Sequence, residues 1–167
     1  MSRNTRQKDR DYYKEYQQRP IYKKYMKDYR LKNRKRLNLF QVEWREKHAA
    51  LGLCHRCNMP KMAGLSVCEK HWFMTVANDR LGKGGGKHWS ELRDILKRQD
   101  YKCFYTGQIL TPGVDCQLDH IKPVSRFPEL IGNVGNIQWV SKNANIAKNN
   151  LTHDEFINFC KTIAGRF

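Results

Sequence analysis

The chain has 167 residues, 40% of them hydrophobic, and carries a formal net charge of +16, with 32 lysines and arginines against 16 acidic residues. This length allows one ordinary domain or two small ones, and the charge excess favours a polyanionic partner such as DNA. No stretch approaches the ~18 apolar residues of a membrane span and no apolar export segment opens the chain, so we expect a cytoplasmic protein without membrane contact.

Residues 1–50 form a basic, tyrosine-rich arm, with 16 Lys+Arg and 6 Asp+Glu. The tyrosines recur at helical spacing on either side of Pro20, which predicts two helical stretches, at 8–18 and 21–48. Two interpretations stay open. Either the arm follows DNA, with phosphate contacts from Arg34, Lys35 and Arg36, or it is a solvated helix whose tyrosines pack on the rest of the protein.

Residues 51–80 contain two close pairs of metal-ligand residues. The four candidates are Cys54, Cys57, Cys68 and His71. Two ligands three residues apart can bind adjacent corners of a tetrahedron, so the two pairs predict a zinc knuckle. Four protein ligands leave no position for water, which indicates a structural zinc. The alternatives are ordinary buried cysteines, or His55 as the fourth ligand.

The remaining cysteines have no such spacing. Without an export signal, disulfides are disfavoured, and we expect small buried apolar roles for Cys103, Cys116 and Cys160.

Four glycines between residues 82 and 86 break regular structure and predict a flexible linker at 81–88. Beyond it, residues 89–167 predict one further domain. We expect a helix capped by Ser90, strands at 116–121 and 135–140, a polar helix at 141–149, and an amphipathic helix at 153–163 capped by Thr152.

The two predicted strands and the polar helix carry a set of polar residues. They are Asp119, His120, Asn136, Asn145 and Lys148. A histidine with a pKa near 6.5 can activate water close to neutral pH. Asp and Asn oxygens suit Mg²⁺ or Mn²⁺, which offset charge on a phosphate. These residue types therefore fit phosphodiester hydrolysis.

In this order and spacing, the residues resemble the HNH endonucleases of the ββα-metal superfamily, in the variant whose last histidine is replaced by asparagine. The resemblance spans about residues 89–158. Within the family, the chain is similar to small phage or intron-associated nucleases. It implies an α+β fold with a ββα-metal unit and flanking helices. His120 would be the general base, oriented by Asn136, and Asp119 and Asn145 would hold Mg²⁺ or Mn²⁺. Lys148 would contact a phosphate.

One departure from the family concerns a second zinc site. Many members carry two Cys-x2-Cys pairs around the motif, where this chain has Cys103, Thr106, Ser141 and Ala144. No zinc can be held there, and we expect four aromatic residues to fill the space, namely Tyr101, Phe104, Tyr105 and Trp139.

The resemblance implies a metal-dependent DNA endonuclease, in the host cytoplasm if phage-encoded. One catalytic unit per chain would nick one strand as a monomer, or cut both strands as a homodimer on DNA. The alternative is a non-catalytic, zinc-dependent nucleic-acid-binding protein in which the HNH-like segment is only scaffold.

Overall fold

The computed structural model describes residues 3–167, with side chains from residue 9 onward. They fall into two compact units, one ending at Ala50 and the other spanning Leu51–Phe167. The structure combines helices with one two-stranded antiparallel sheet, so the predicted α+β class is confirmed. Over the described residues, no helix combines the length and apolar character needed to cross a bilayer.

The first unit consists of three helices, α1 (Arg3–Gln18), α2 (Pro20–Lys32) and α3 (Arg34–Ala50). Pro20 is the first residue of α2, where its missing N–H has no intrahelical partner to lose. The prediction of one helix over 21–48 is wrong at Asn33. Its side-chain amide donates to the Tyr29 carbonyl at 2.9 Å, which competes with helix continuation and ends α2.

The second unit contains four helices and both strands. Their bounds are α4 (Glu69–Leu81), α5 (Trp89–Arg98), β1 (Cys116–His120), β2 (Ile137–Ser141), α6 (Lys142–Lys148) and α7 (His153–Ala164). The core lies where α4, α5 and β2 meet. Trp139 of β2 is fully buried against Phe73 of α4, with ring centroids 5.7 Å apart. Its indole N–H donates to the Leu92 carbonyl of α5 at 2.9 Å.

The glycine-rich segment is a packed turn, which corrects the prediction of a flexible linker. Gly85 and Gly86 are buried in a short 3-10 turn, and the Gly86 N–H donates to Asn78 Oδ1 at 2.8 Å. A side chain at Gly85 would collide with the Ala77 carbonyl and lie 2.8 Å from Leu81 Cβ. Glycine here permits the close approach of two backbones. Residues 51–80 and 89–167 consequently share one core.

The predicted strands form an antiparallel pair in which Asp119 lies opposite Gln138 and His120 opposite Ile137. Thr152 caps α7 as predicted, within a reciprocal pair of hydrogen bonds to Glu155. The predicted cap at Ser90 is wrong. The helix α5 already begins at Trp89, directly after the glycine turn, so Ser90 lies inside its first turn.

Candidate functional site

Cys54, Cys57, Cys68 and His71 converge on one point, with all four ligand atoms within 4.8 Å of one another. The His71 Nδ1 atom lies 3.3, 3.5 and 3.3 Å from the Sγ atoms of Cys54, Cys57 and Cys68. The Cys57 and Cys68 sulfurs are 3.7 Å apart. Ordinary tetrahedral zinc geometry sets about 3.6 Å between sulfur and nitrogen and about 3.8 Å between sulfurs. The cluster can therefore hold a structural metal such as zinc.

Local structure brings the two ligand pairs together. The Cys57 N–H donates to the Cys54 carbonyl at 3.2 Å and closes a tight turn. Cys68 immediately precedes α4, and His71 lies in the first turn of that helix. Burial raises the pKa of the Cys54 thiol, but backbone hydrogen bonds, chiefly from Cys68 and Arg56, outweigh this effect and lower the pKa to about 6. A thiolate, the form that binds zinc, is thus favoured at Cys54.

His55 is not part of this cluster. Its Nδ1 atom instead lies 2.9 Å from the Ser66 carbonyl oxygen. The alternative that His55 is the fourth ligand therefore does not match the structure.

A second polar site is a cleft of roughly 210 Å³ that contains Asp119, His120 and Asn145 together. The first two come from the end of β1, and Asn145 comes from α6. The chain turns at Pro123, which also lines the cleft. The sequence predicted these three residues together, and the structure brings them together. Arg80, which the sequence did not indicate, lines the cleft from the last turn of α4.

Asp119 is 5% exposed, and both of its carboxylate oxygens accept hydrogen bonds. Lys148 Nζ lies 3.0 Å from Oδ1, and Gln138 Nε2 donates to Oδ2 at 2.8 Å. Lys148 is fully buried and also donates to the His120 carbonyl at 2.8 Å. The predicted phosphate contact of Lys148 is therefore wrong, because the ammonium is enclosed by the protein. Its charge instead balances that of Asp119.

His120 presents a free ring nitrogen. Its Nε2 atom is buried and has no hydrogen-bond partner among the residues that the structure describes. Burial lowers the pKa of His120, the nearby Asp119 carboxylate raises it, and the charges of Arg80 and Lys148 lower it. The net effect is a pKa below 6.5, so the imidazole is neutral at neutral pH and Nε2 can accept a proton.

Asn136 was expected to orient this imidazole, and the structure corrects that role. Its Oδ1 accepts from the Lys122 N–H at 2.9 Å, and its Nδ2 donates to the Lys122 carbonyl at 2.8 Å. Asn136 therefore fixes the backbone just after His120, and neither of these hydrogen bonds goes to the ring. The backbone of Arg80 has the smallest effect on this ring and raises the pKa of His120.

Asn145 is held by its amide group. Its Nδ2 donates to Gln117 Oε1 at 2.8 Å, across the contact between α6 and β1. Its Oδ1 accepts no hydrogen bond within the part of the chain that is described. This leaves an amide oxygen in the same cleft as the Asp119 carboxylate.

The positions of the missing second zinc site lie side by side. The Ser141 N–H donates to Cys103 Sγ at 3.2 Å, and Ser141 Oγ accepts from the Ala144 N–H at 3.3 Å. Hydrogen bonds thus connect the positions at which the resemblance to HNH endonucleases led us to look for thiols. Trp139 is buried there, but Phe104 is 53% exposed and does not fill the space as predicted. Among the other cysteines, Cys116 is buried as predicted, whereas Cys160 is exposed at the chain's last helix.

A basic groove of roughly 760 Å³ lies within the first unit. Four cations line it at helical spacing, namely Lys23, Lys27, Arg30 and Arg34, and no acidic residue does. All four are exposed, as are the other predicted phosphate contacts, Lys35 and Arg36. The arm's tyrosines stack on one another, with 6.4 Å between the ring centroids of Tyr25 and Tyr29.

No protein-family model, curated protein or solved structure matches this chain. Its function is therefore inferred from the zinc-type cluster, the cleft around His120 and the basic groove.

Proposed function

We propose that this protein is a metal-dependent DNA endonuclease of the HNH type, with β1, β2 and α6 as its ββα-metal unit. The observation that carries the proposal is the buried, unpartnered Nε2 of His120 in a cleft shared with Asp119 and Asn145. Hydrolysis of a phosphodiester requires a general base and metal ligands. A neutral imidazole with a free lone pair can be the base, and the carboxylate and amide oxygens beside it can be the ligands.

In the proposed reaction, His120 Nε2 takes a proton from a water molecule as the water oxygen attacks phosphorus. The bond from phosphorus to the leaving sugar oxygen breaks as the new bond forms, and the leaving oxygen takes a proton from solvent water. Lys148 holds the backbone of His120, and Asn136 holds the next turn, so the base stays in place during this transfer. One cleft per chain cuts one strand per binding event. We therefore propose nicking by a monomer, or double-strand cutting by a homodimer.

The cleft has oxygen donors that fit Mg²⁺ or Mn²⁺. Each oxygen of Asp119 accepts one hydrogen bond and keeps a further lone pair, and Asn145 Oδ1 accepts none from the described chain. Hard ions of this kind use one or two protein oxygens and keep several waters, so two donors suffice. A bound ion would offset charge on the scissile phosphate. The buried Lys148 charge beside Asp119 lowers the affinity for such an ion.

DNA binding is supported by charge. The first unit carries the groove lined by Lys23, Lys27, Arg30 and Arg34, and the chain as a whole has a net charge of +16. Exposed cations spaced along helices suit phosphates, which give affinity without sequence preference. The structural zinc cluster stabilises the second unit in this proposal.

One observation favours the alternative, a non-catalytic zinc-dependent nucleic-acid-binding protein. The carboxylate expected to bind the catalytic ion is already paired with Lys148 and Gln138. The position of the unpartnered His120 Nε2 in the cleft favours the nuclease instead, whereas Nδ1 of His153, which is also buried and unpartnered, belongs to a ring stacked on Tyr105 outside the cleft.

Relaxation of supercoiled plasmid separates the two functions. The expected result is nicking in Mg²⁺ or Mn²⁺ by the wild type, loss of nicking in His120→Ala, and unchanged DNA affinity in that variant. His88→Ala is the matched control, because His88 is bonded to Glu91 away from the cleft, and it should cleave normally. DNA binding without cleavage over a panel of divalent ions would establish the alternative.

A further inference from the structure

The helix α4 connects the zinc-type cluster with the cleft. Cys68 precedes its first residue and His71 lies in its first turn, whereas Arg80 is its penultimate residue. Thirteen helical residues span about 20 Å. Phe73 and Ala77 in the middle of the helix are fully buried, and Trp72 stacks on Trp139 of β2 with 5.6 Å between centroids. The position of Arg80 is thus fixed by packing along the helix and by the ligand cluster at its start.

Arg80 is the one cation among the described residues that line the cleft. Its side chain is exposed, and none of the ion pairs in the described chain includes it. Lys148 differs in both respects, because its ammonium is buried and balanced by Asp119. The cleft therefore presents one uncompensated guanidinium beside His120, which is an environment suited to an anion.

We propose that the guanidinium of Arg80 binds a non-bridging oxygen of the scissile phosphate, so that the zinc-holding helix contributes directly to catalysis. This inference rests on the proposed nuclease function. Negative charge on the phosphoryl oxygens must be stabilised during the displacement, and a planar guanidinium can donate two parallel hydrogen bonds to them. Arg80 and His120 line the same cleft. A phosphate held by Arg80 would therefore lie in the space that His120 faces.

The first test compares Arg80→Met with Arg98→Met. Arg98 is a matched control because it is also exposed in the last turn of a helix, α5, but lies outside the cleft. We expect single-turnover cleavage at saturating DNA to fall about 100- to 1,000-fold in Arg80→Met, as for loss of one transition-state donor. DNA affinity should change less than about 3-fold, because one phosphate contact among many is lost. Arg80→Lys should retain part of the rate.

The second test does not depend on cleavage. Inorganic phosphate is titrated into each full-length variant, and the imidazole signals of His120 are followed by NMR. Saturable shifts in the wild type and in Arg98→Met, absent in Arg80→Met, are the expected result. Matching thermal unfolding of the variants shows that the fold is intact, and Arg80→Gln, which also removes the charge, replaces Arg80→Met if it is not.

The two tests together distinguish the inference from the function on which it rests. If the wild type cleaves and Arg80→Met equals Arg98→Met in rate and in phosphate binding, the role of Arg80 is overturned and the nuclease stands. If no variant cleaves but phosphate binding requires Arg80, the anion site stands and the nuclease proposal is overturned.

Discussion

The buried ammonium of Lys148 lies 3.0 Å from the Asp119 carboxylate, and it donates as well to the carbonyl of the following residue, His120. A single side chain from α6 thus holds both residues of the Asp-His pair at the end of β1. Because Lys148 is fully buried, its removal leaves a buried carboxylate without its counter-charge. The ion pair of Lys148 and Asp119 therefore belongs to the protein interior and not to its surface.

We predict that Lys148→Met lowers the free energy of unfolding by about 3–5 kcal/mol, the usual cost of breaking a buried ion pair. Urea denaturation measures the change. The double variant Lys148→Met/Asp119→Leu should recover part of the loss, since no unpaired charge stays buried. A loss below about 1 kcal/mol, as for an exposed pair, would contradict the buried bridge.

The zinc cluster predicts one tightly bound zinc per chain. Cys68→Ser should lose the metal and unfold at a lower temperature, because the cluster fixes the start of α4. Elemental analysis and thermal unfolding measure both effects. Cys160→Ser, at an exposed thiol outside the cluster, is the control and should keep zinc. Equal zinc content in the two variants would rule out the site.

The lowered pKa of His120 sets the expected pH dependence. Burial disfavours the imidazolium, so the folded-state pKa lies below 6.5 and the base is already neutral at pH 7. The cleavage rate should therefore be flat near neutral pH and fall only at a pH below 6.5. The unfolded chain binds this proton more tightly, so stability is also lost as the pH falls below 6.5. His120→Gln should remove this component of the pH dependence of unfolding.

The basic groove of the first unit predicts salt-dependent DNA affinity. Replacing both Lys27 and Arg30 by Gln should reduce the slope of log affinity against log salt by about 2, near 1 for each phosphate contact. Replacing Lys97 and Arg98, exposed cations at the end of α5, is the control. Identical slopes for the two double variants would show that the groove does not hold DNA.

The packed glycine turn predicts that Gly85→Ala destabilises the protein by about 1–3 kcal/mol, because the added methyl group meets the Ala77 carbonyl and Leu81. Gly165→Ala is a suitable control, since Gly165 has helical backbone angles and an ordinary distance of 3.4 Å to its nearest neighbour. Chemical denaturation measures both. Equal free energies of unfolding for Gly85→Ala and Gly165→Ala would contradict the packed turn and favour a flexible linker.

Local patterns in the sequence predicted part of the local structure. The spacing of Cys54 and Cys57 indicated a ligand turn, and the position of Thr152 indicated a helix cap, because both depend on residues within one or two turns. Asp119, His120 and Asn145 were placed together through a family motif. Contacts between distant segments could not be predicted this way. The burial of Lys148, the target of Asn136 and the presence of Arg80 all depend on how α4 and α6 pack on β1.

The hydrogen bonds between Asn136 and the Lys122 backbone close the connection between the two strands at its base. The segment beyond this closure, around residues 128–134, packs on the end of α4, with Ile131 beside Gly82 and Gly132 beside the Leu81 carbonyl. The strand end and the loop are thus held by separate contacts, the first by Asn136 and the second by α4.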